Sequence, residues 1–314
     1  MGAHDEVKTM KSNVAIFPVP ANAKTVSVIM VSYMTGPALL EAVNAVLRDK
    51  AISELIIVDN GNTDALRKSL SDYVAGSSRV RLLQGHGNIG FGRGCNYGAQ
   101  LAGSQFLLFL NPDAVISEGA ALRLAQASDQ LTAPWILGAM LRAPEGQEQR
   151  GGRRRALTPW TAFTTFTGLA NLPGVKGINM HKDPLPDGLM RLPTISGAAF
   201  MTDRASFDML GGFDEQYFLH VEDIDICRRA RLAGGDVAFL PSATVLHYGG
   251  TSKVRRQVIE RQKLRGFIRY FWTYSDKLWA KALCIVTLPF MAVAIMGRAW
   301  ITAFRQAIAG RPQA

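Results

Sequence analysis

Apolar positions follow two alternating rhythms through the first third of the chain. TVSVIMVSY (25–33), SELIIVDN (53–60), VRLLQG (80–85) and QFLLFLN (105–111) are short, β-rich or continuous apolar runs, the pattern of buried strands. Between them the apolar residues return with a helical period. Leu39, Leu40, Val43, Val46 and Leu47 do so within 36–49. TDALRKSLSDYV (63–74) looks like a second helix, with Thr63 or Asp64 able to cap it. GCNYGAQLA (94–102) opens a third. This alternation predicts a parallel sheet with helices on both faces.

In such sheets ligands bind beyond the carboxyl ends of the strands, near the point where strand order reverses. Three predicted strands end in polar residues: Ser32 and Tyr33, Asp59 and Asn60, Asn111 and Asp113. All three ends are expected to face one crevice. Pro112 has no N–H for a sheet ladder and holds Asn111 extended, so the strand stops there. Asn, Pro and Asp are turn formers, and Asp113 alone reads first as a turn residue. The convergence of polar strand ends gives it a second, functional reading.

The middle of the chain is less regular. APEGQEQRGGRRRALTP (143–159) reads as a mobile basic loop. WTAFTTFTGLANLPGVKG (160–177) is apolar but broken by Gly and Pro, and suits covering an acceptor site or touching a membrane. DVAFLP (236–241) and ATVLHYGG (243–250) resemble short strands, and 253–269 is a basic, helical stretch. Beyond it, ALCIVTLPFMAVAIMG (282–297) is uncharged, contains Pro289, and is shorter than the roughly 20 apolar residues of a helical span. Basic and aromatic residues flank it, among them Arg265, Trp272, Trp279, Arg298 and Trp300. That mixture points to interfacial or re-entrant helices; a single span and ordinary packed helices are the alternatives.

Composition narrows the class. The 314 residues are 48% hydrophobic, and 35 Lys and Arg exceed 25 Asp and Glu to give a net charge of +10. The expected organisation is a flexible leader (1–24), an α/β domain (25–252) and a basic, apolar helical region (253–314). A basic balance suits nucleic acid, an anionic membrane or phosphorylated substrates. The basic residues concentrate at 150–155 and 253–269, and no nucleic-acid motif occurs, so a nucleic-acid partner is not expected. Cys95, Cys227 and Cys284 form no disulfide or zinc spacing, which fits a reducing compartment. Residues 1–24 hold no signal-peptide core, so export is not expected.

Three constellations are candidates for chemistry. GHGNIGFGRGCNYG (85–98) can bring backbone close to a ligand, and Asn88 and Arg93 can contact a diphosphate; a flexible structural loop is the other reading. FLHVEDIDICRRARLAGG (218–235) places Glu222, Asp223 and Asp225 in the first turn of a helix. Helix electrostatics and an Asp225–Arg229 pair explain some of that acidity, while a carboxylate at a cleft edge can act as a general base. TVLHYGGTS (244–252) ends a strand on His247, a structural residue or the partner of Asp113 in a divalent-cation site.

Taken in order, VSVIMVSY, IIVDNGNTD, GNIGFGRGCNYG, FLNPDA, ISGAAFMTDRASFDMLGGFDEQYFLHVEDIDICRRARLAGG and PSATVLHYGGTS resemble the family 2 glycosyltransferases, in their bacterial rhamnosyltransferase-like branch. The resemblance spans about residues 25–252. It implies a GT-A fold, a nucleotide-sugar donor (dTDP or UDP), a divalent cation (Mn²⁺ or Mg²⁺) and inversion at the anomeric carbon. NPD stands where the family carries its acidic metal motif, with Asn in the first position. On that mapping Asp113 and His247 are metal ligands, and Asn111 lies near the sugar or ribose. Asp59, Asn60, Ser32, Tyr33, Asn88 and Arg93 line the donor site, Asp223 is the base and Glu222 orients the acceptor. The branch implies rhamnose, and the basic, aromatic C-terminus implies a polyprenyl-diphosphate-linked acceptor at the cytoplasmic face of the inner membrane. The competing expectations are a sugar-nucleotide pyrophosphorylase and a non-catalytic module that binds membrane or nucleic acid.

Overall fold

The computed structural model describes residues 24–252, 254–275 and 297. Its first half is β1 (Val26–Ser32), α1 (Ala38–Arg48), β2 (Ile52–Asp59), α2 (Asp64–Ala75), β3 (Val80–Leu83), α3 (Phe91–Leu101) and β4 (Phe106–Leu110). These are the elements that the apolar rhythm predicts, and Thr63 does cap α2 by accepting from Leu66 N–H. Next come β5 (Ala114–Ile116), α4 (Ala120–Ala127), β6 (Ile136–Arg142), β7 (Arg153–Arg154) and α5 (Pro159–Thr167). The remainder is β8 (Met190–Arg191), β9 (Thr194–Ile195), β10 (Ala199–Asp203), α6 (Arg204–Met209), α7 (Glu222–Leu232), β11 (Val237–His247) and α8 (Arg256–Thr273).

The main sheet runs β3-β2-β1-β4-β10-β6-β11-β5, with β8 beside β11. The first four strands pair in parallel, as do β6 and β11, while β10 is antiparallel to β4 and β6. Successive strand residues point to opposite faces, and here both faces are covered. Val28 and Met30 of β1 join α1 and α4 in one core, whereas Ile29 and Val31 join α3 and α7 in the other. This is why β1 is apolar throughout rather than alternating. The chain winds outward from β1 to β3 and then returns to β4 on the other side of β1. The polar ends of β2, β1 and β4 therefore share one edge at the reversal, as expected.

Three local expectations need correction. First, 236–250 is not two strands. It forms one long β11, with its register shifted between Leu240 and Thr244, where Pro241 interrupts the ladder. Second, α3 begins at Phe91, before the expected start at 94, and part of the glycine run serves packing. A Cβ on Gly98 would lie 2.7 Å from Ile29 Cγ2, so the helix sits directly on the sheet. Gly90 has φ +88 and approaches Phe218 O, which fixes the loop before α3.

Third, 143–159 is not a loose basic loop. Arg153 is 0% exposed and pairs with Glu148 through two hydrogen bonds of 2.8 and 2.7 Å. It also donates to the carbonyls of Pro184, Asp183 and Met180. Arg155 pairs with the Asp183 carboxylate, and Arg154 pairs with Asp223. The arginines are internal cross-links rather than a solvated patch. Breaking a buried pair leaves an uncompensated charge, so Arg153→Met is expected to cost about 3–5 kcal/mol. Arg153→Met with Glu148→Leu should recover much of that loss, because no lone charge remains. Urea unfolding midpoints of both variants check this, and equal losses would contradict it.

A third cluster joins α5, α7 and α8 through Ala162, Val221, Ile224, Phe267, Tyr270 and Phe271. The described part of the expected C-terminal membrane region is thus a helix docked on the domain, because its aromatic face is buried there. Among the described residues no helix is long and apolar enough to cross a membrane. The apolar stretch 282–297 lies outside the described residues, apart from Gly297.

Candidate active site

At the end of β4 the chain turns through Asn111–Asp113, with Ala114 N–H donating to Asn111 O, and re-enters the sheet as β5. β5 pairs antiparallel with β11, and the register sets Ala114 opposite His247. That pairing brings Asp113 and His247 together from positions far apart in sequence. Asp113 Oδ1 lies 3.1 Å from His247 Nε2, and Asn111 Nδ2 lies 3.3 Å from the same nitrogen.

Gln149 governs the imidazole. Its amide nitrogen donates to His247 O at 3.2 Å, which turns its oxygen onto Nδ1 at 2.6 Å. Nδ1 therefore carries the hydrogen, and Nε2 presents a lone pair toward the Asp113 carboxylate. Two acceptors converging at that distance favour a proton or a cation between them. Burial works against charge on Asp113, but hydrogen bonds from His247, once a proton lies between the two, and from Thr251 outweigh it and hold the carboxyl below its usual range. Carboxylate and imidazole suit a divalent cation whose other ligands are phosphate oxygens. Among the described residues no group of three or more His, Cys, Asp or Glu forms a complete protein cage.

The acidic start of α7 forms the second half of the site. Its entry is strained: His220 and Val221 both have positive φ, at 67° and 76°. Asp223 Oδ2 accepts from Gly197 N–H at 2.9 Å and from Arg154, while Oδ1 accepts from Ile224 N–H at 2.8 Å. Burial opposes ionisation of Asp223, yet Arg154 and Gly197 outweigh it and hold the carboxyl below the usual value. Glu222 goes the other way: burial, then the adjacent Asp223 charge, push it up to about 8. Its Oε2 is buried without a hydrogen-bond partner. Two neighbouring carboxyls whose environments drive them apart can divide proton acceptance and donation between them. Desolvation and Lys263 push His220 down to about 4, so its imidazole is neutral. Asp225 pairs with Arg229 at 2.8 Å, the expected helix pair, and accepts from Tyr274.

One peptide segment ties these halves together. Gly197 N–H holds Asp223, and the next residue's carbonyl, Ala198 O, accepts from Asn111 N–H at 2.8 Å. The acidic helix start and the Asp113–His247 pair thus flank the start of β10.

The remaining predicted residues sit at the β1–β2 end. Ser32 and Asp59 are fully enclosed, and Asp59 Oδ1 accepts from Gly61 N–H, Asn62 N–H and Asn62 Nδ2. Asp59 therefore organises the turn at the end of β2. Asn60 Nδ2 donates to Gly90 O at 2.8 Å, which joins the strand end to the glycine run. Tyr33 lies against Gly61. Asn88 is exposed and closes a turn by accepting from Gly90 N–H. Arg93 is not brought to this cluster: its side chain is 60% exposed and lies 3.4 Å from Glu215. Sequence reasoning missed Arg154, Gln149, Gly197 and Thr251. The doublet of residues flanking Arg154 hid it within an apparent charge run.

Comparison with known proteins is consistent with this geometry. Residues 27–184 match the family model described as Glycosyl transferase family 2, and residues 182–268 match one described as Glycosyltransferase like family 2. An N-acetylglucosaminyl-diphospho-decaprenol L-rhamnosyltransferase of Mycobacterium tuberculosis is 27% identical over 251 residues, 73% of this chain and 77% of that protein. A rhamnosyltransferase of Escherichia coli is 24% identical over 217 residues, 67% of this chain and 77% of that protein. Among solved structures, GalNAc-T7 with UDP, GalNAc and Mn²⁺ has a TM-score of 0.62 at 18% identity, over 82% of this chain. The chain spans about half of that structure, 49% of its length. A mannosyltransferase from Pyrobaculum calidifontis in complex with GDP-Man and Mn²⁺ has a TM-score of 0.55 at 14% identity, over 94% of this chain and 79% of that one. The fold is α/β and GT-A-like.

Proposed function

The chain belongs to the family 2 glycosyltransferases, and from that membership we propose that it moves rhamnose from a nucleoside diphosphate to a polyprenyl-diphosphate-linked saccharide, with inversion. The observation that carries this reading is the Gly197–Ala198 segment, which holds Asp223 on one side and the Asp113 turn on the other. An acceptor hydroxyl is a weak nucleophile at neutral pH. Asp223 takes its proton as the oxygen bonds to the anomeric carbon and the bond to the diphosphate breaks. Glu222, protonated beside it, can donate a hydrogen bond that orients the acceptor. Asp113 and His247 would hold a divalent cation, Mn²⁺ or Mg²⁺, which when bound offsets the charge that develops on the departing diphosphate. Asn111, positioned against His247, faces the same charge. Asp59, Asn60, Ser32, Tyr33 and Asn88 form the end that would receive the nucleoside.

The acceptor class draws support from an exposed ridge. Trp160 and Phe163 are 62% and 50% exposed, and lie one helical turn apart on α5. Leu169 and Leu172 extend the apolar surface. The buried side of α5 packs in the cluster that carries the start of α7, so the helix that bears the ridge shares a core with the acidic helix start. A bilayer surface at the cytoplasmic face of the inner membrane would fit it, with the chain's positive balance favouring anionic lipid.

The test is transfer from dTDP-rhamnose, within a screen of nucleotide hexoses, to a saccharide-diphosphate-polyprenol in phosphatidylglycerol vesicles. Product with inverted configuration is expected. No product from any donor in the screen would refute the proposal. Trp160→Ser with Phe163→Ser should reduce turnover on the vesicle acceptor several-fold and spare a short-chain, water-soluble one. Equal effects on both would remove the membrane role of the ridge.

A further inference from the structure

We infer that Arg154 is a positioning residue for proton removal, holding the Asp223 carboxylate charged and aimed. This rests on the reading of Asp223 as the base. The geometry is built from both sides. Adjacent residues of an extended segment point to opposite faces. Arg153 and Arg155 therefore share one side, and both reach Asp183, the first through its carbonyl and the second through its carboxylate. Clamped there, β7 projects Arg154 to the other side, toward α7. Pairing of β7 with β9 sets Arg154 opposite Thr194.

The guanidinium is itself fixed before it meets Asp223. Its Nε donates to Gly151 O at 2.9 Å, and Nη2 donates to Ile195 O at 3.3 Å as well as to Asp223 Oδ2. Gly197 completes the cradle from β9's far end, and a Cβ there would lie 3.1 Å from the Asp223 Cβ. The carboxylate is thus held at one oxygen by a cation and a backbone N–H, and at the other by Ile224 N–H.

The other ionisable groups at this corner do not replace Arg154. Glu222 precedes Asp223 on α7, and Asp225 follows but is engaged by Arg229 and Tyr274. Cys227 lies one turn further along the helix, buried. His220, in the segment before α7, is neutral, and Lys263 of α8 acts on His220. Arg231 is felt at Cys227. Among the described residues, Arg154 is the cation in contact with Asp223. Without it, burial favours the protonated, inactive carboxyl.

The test is the pH dependence of kcat/KM for sugar transfer by full-length protein. Arg154→Gln is expected to move the acid limb to higher pH and to lower kcat about 10-fold, part of what a positioned base contributes, with the donor KM little changed. Arg154→Lys should return the acid limb toward wild type but restore kcat only in part, since an ammonium lacks the planar fork. An unmoved acid limb in Arg154→Gln would overturn the inference. Should that variant not fold, Arg154→Lys in wild-type and Asp223→Asn backgrounds carries the test. A kcat loss confined to the wild-type background supports it, and equal losses in both overturn it. The two readings fail separately: full activity in Asp223→Asn removes the base itself, whereas a dead Asp223→Asn with an unmoved Arg154→Gln limb removes only this role.

Discussion

Asp223→Asn is expected to lower turnover by about 10²–10⁴-fold, the usual contribution of a positioned general base, while nucleotide binding stays near wild type. The amide can keep an oxygen toward Gly197 N–H, so the local backbone has reason to remain in place. It cannot take a proton from the acceptor hydroxyl at neutral pH. The sign of the pH effect follows from the direction of the shift. Asp223 lies below the ordinary carboxylate value in the fold, so it is ionised through the neutral range and activity falls only as the pH drops through that low value. Its ionised form also contributes stability that is present above the unfolded-state value and is lost on acidification. Replacing it leaves Arg154 partly buried without its partner, so the unfolding temperature should fall as well. Single-turnover transfer with saturating donor separates the two effects. Turnover within about threefold of wild type, a loss far too small for a general base, would exclude Asp223 as the base.

Asp113→Asn and His247→Ala are expected to give the second large loss, about 10²–10³-fold in turnover, because each removes electrostatic support aimed at the leaving diphosphate. The loss should be accompanied by weaker cation dependence. Wild-type activity should vanish with EDTA and return with Mn²⁺ or Mg²⁺, whereas the variants should need much more cation for half-activation. His247→Ala also frees Asp113 from one of the hydrogen bonds that lower its carboxyl, so the two losses should not add. Gln149→Leu offers a finer comparison, since it removes the contact that orients the imidazole and leaves both ligands present. Cation-independent turnover in the wild type, or variants with unaltered half-activation, would sink the role of this pair.

Much of this site lay on the surface of the sequence. Asp113, His247, Glu222 and Asp223 are short-range signals: a strand broken by Pro112, a His at the end of an apolar run, acids massed at a helix start. What they lacked was mutual position. Nothing local predicts that β5 pairs with β11 in the register that sets Ala114 opposite His247. Nor does a local pattern separate Arg153, Arg154 and Arg155, which look alike in a basic run yet bond three different carboxylates. The opposite displacements of Glu222 and Asp223 likewise arise from burial and from Arg154, a residue remote in sequence. Arg93 shows the converse: its place in the glycine run suggested a donor contact, but the helical turn carries it outward to Glu215.

By itself, then, the sequence determined the βα alternation, the parallel β1–β4 part of the sheet buried on both faces, and the polar strand ends at one edge, because period and strand termination are local properties of the chain. Only the tertiary structure decided which carboxylates are free, which are neutralised and which meet the imidazole. Those outcomes depend on strand register, on the face to which each arginine projects and on exclusion of water, all of which arise from contacts between segments that the chain separates.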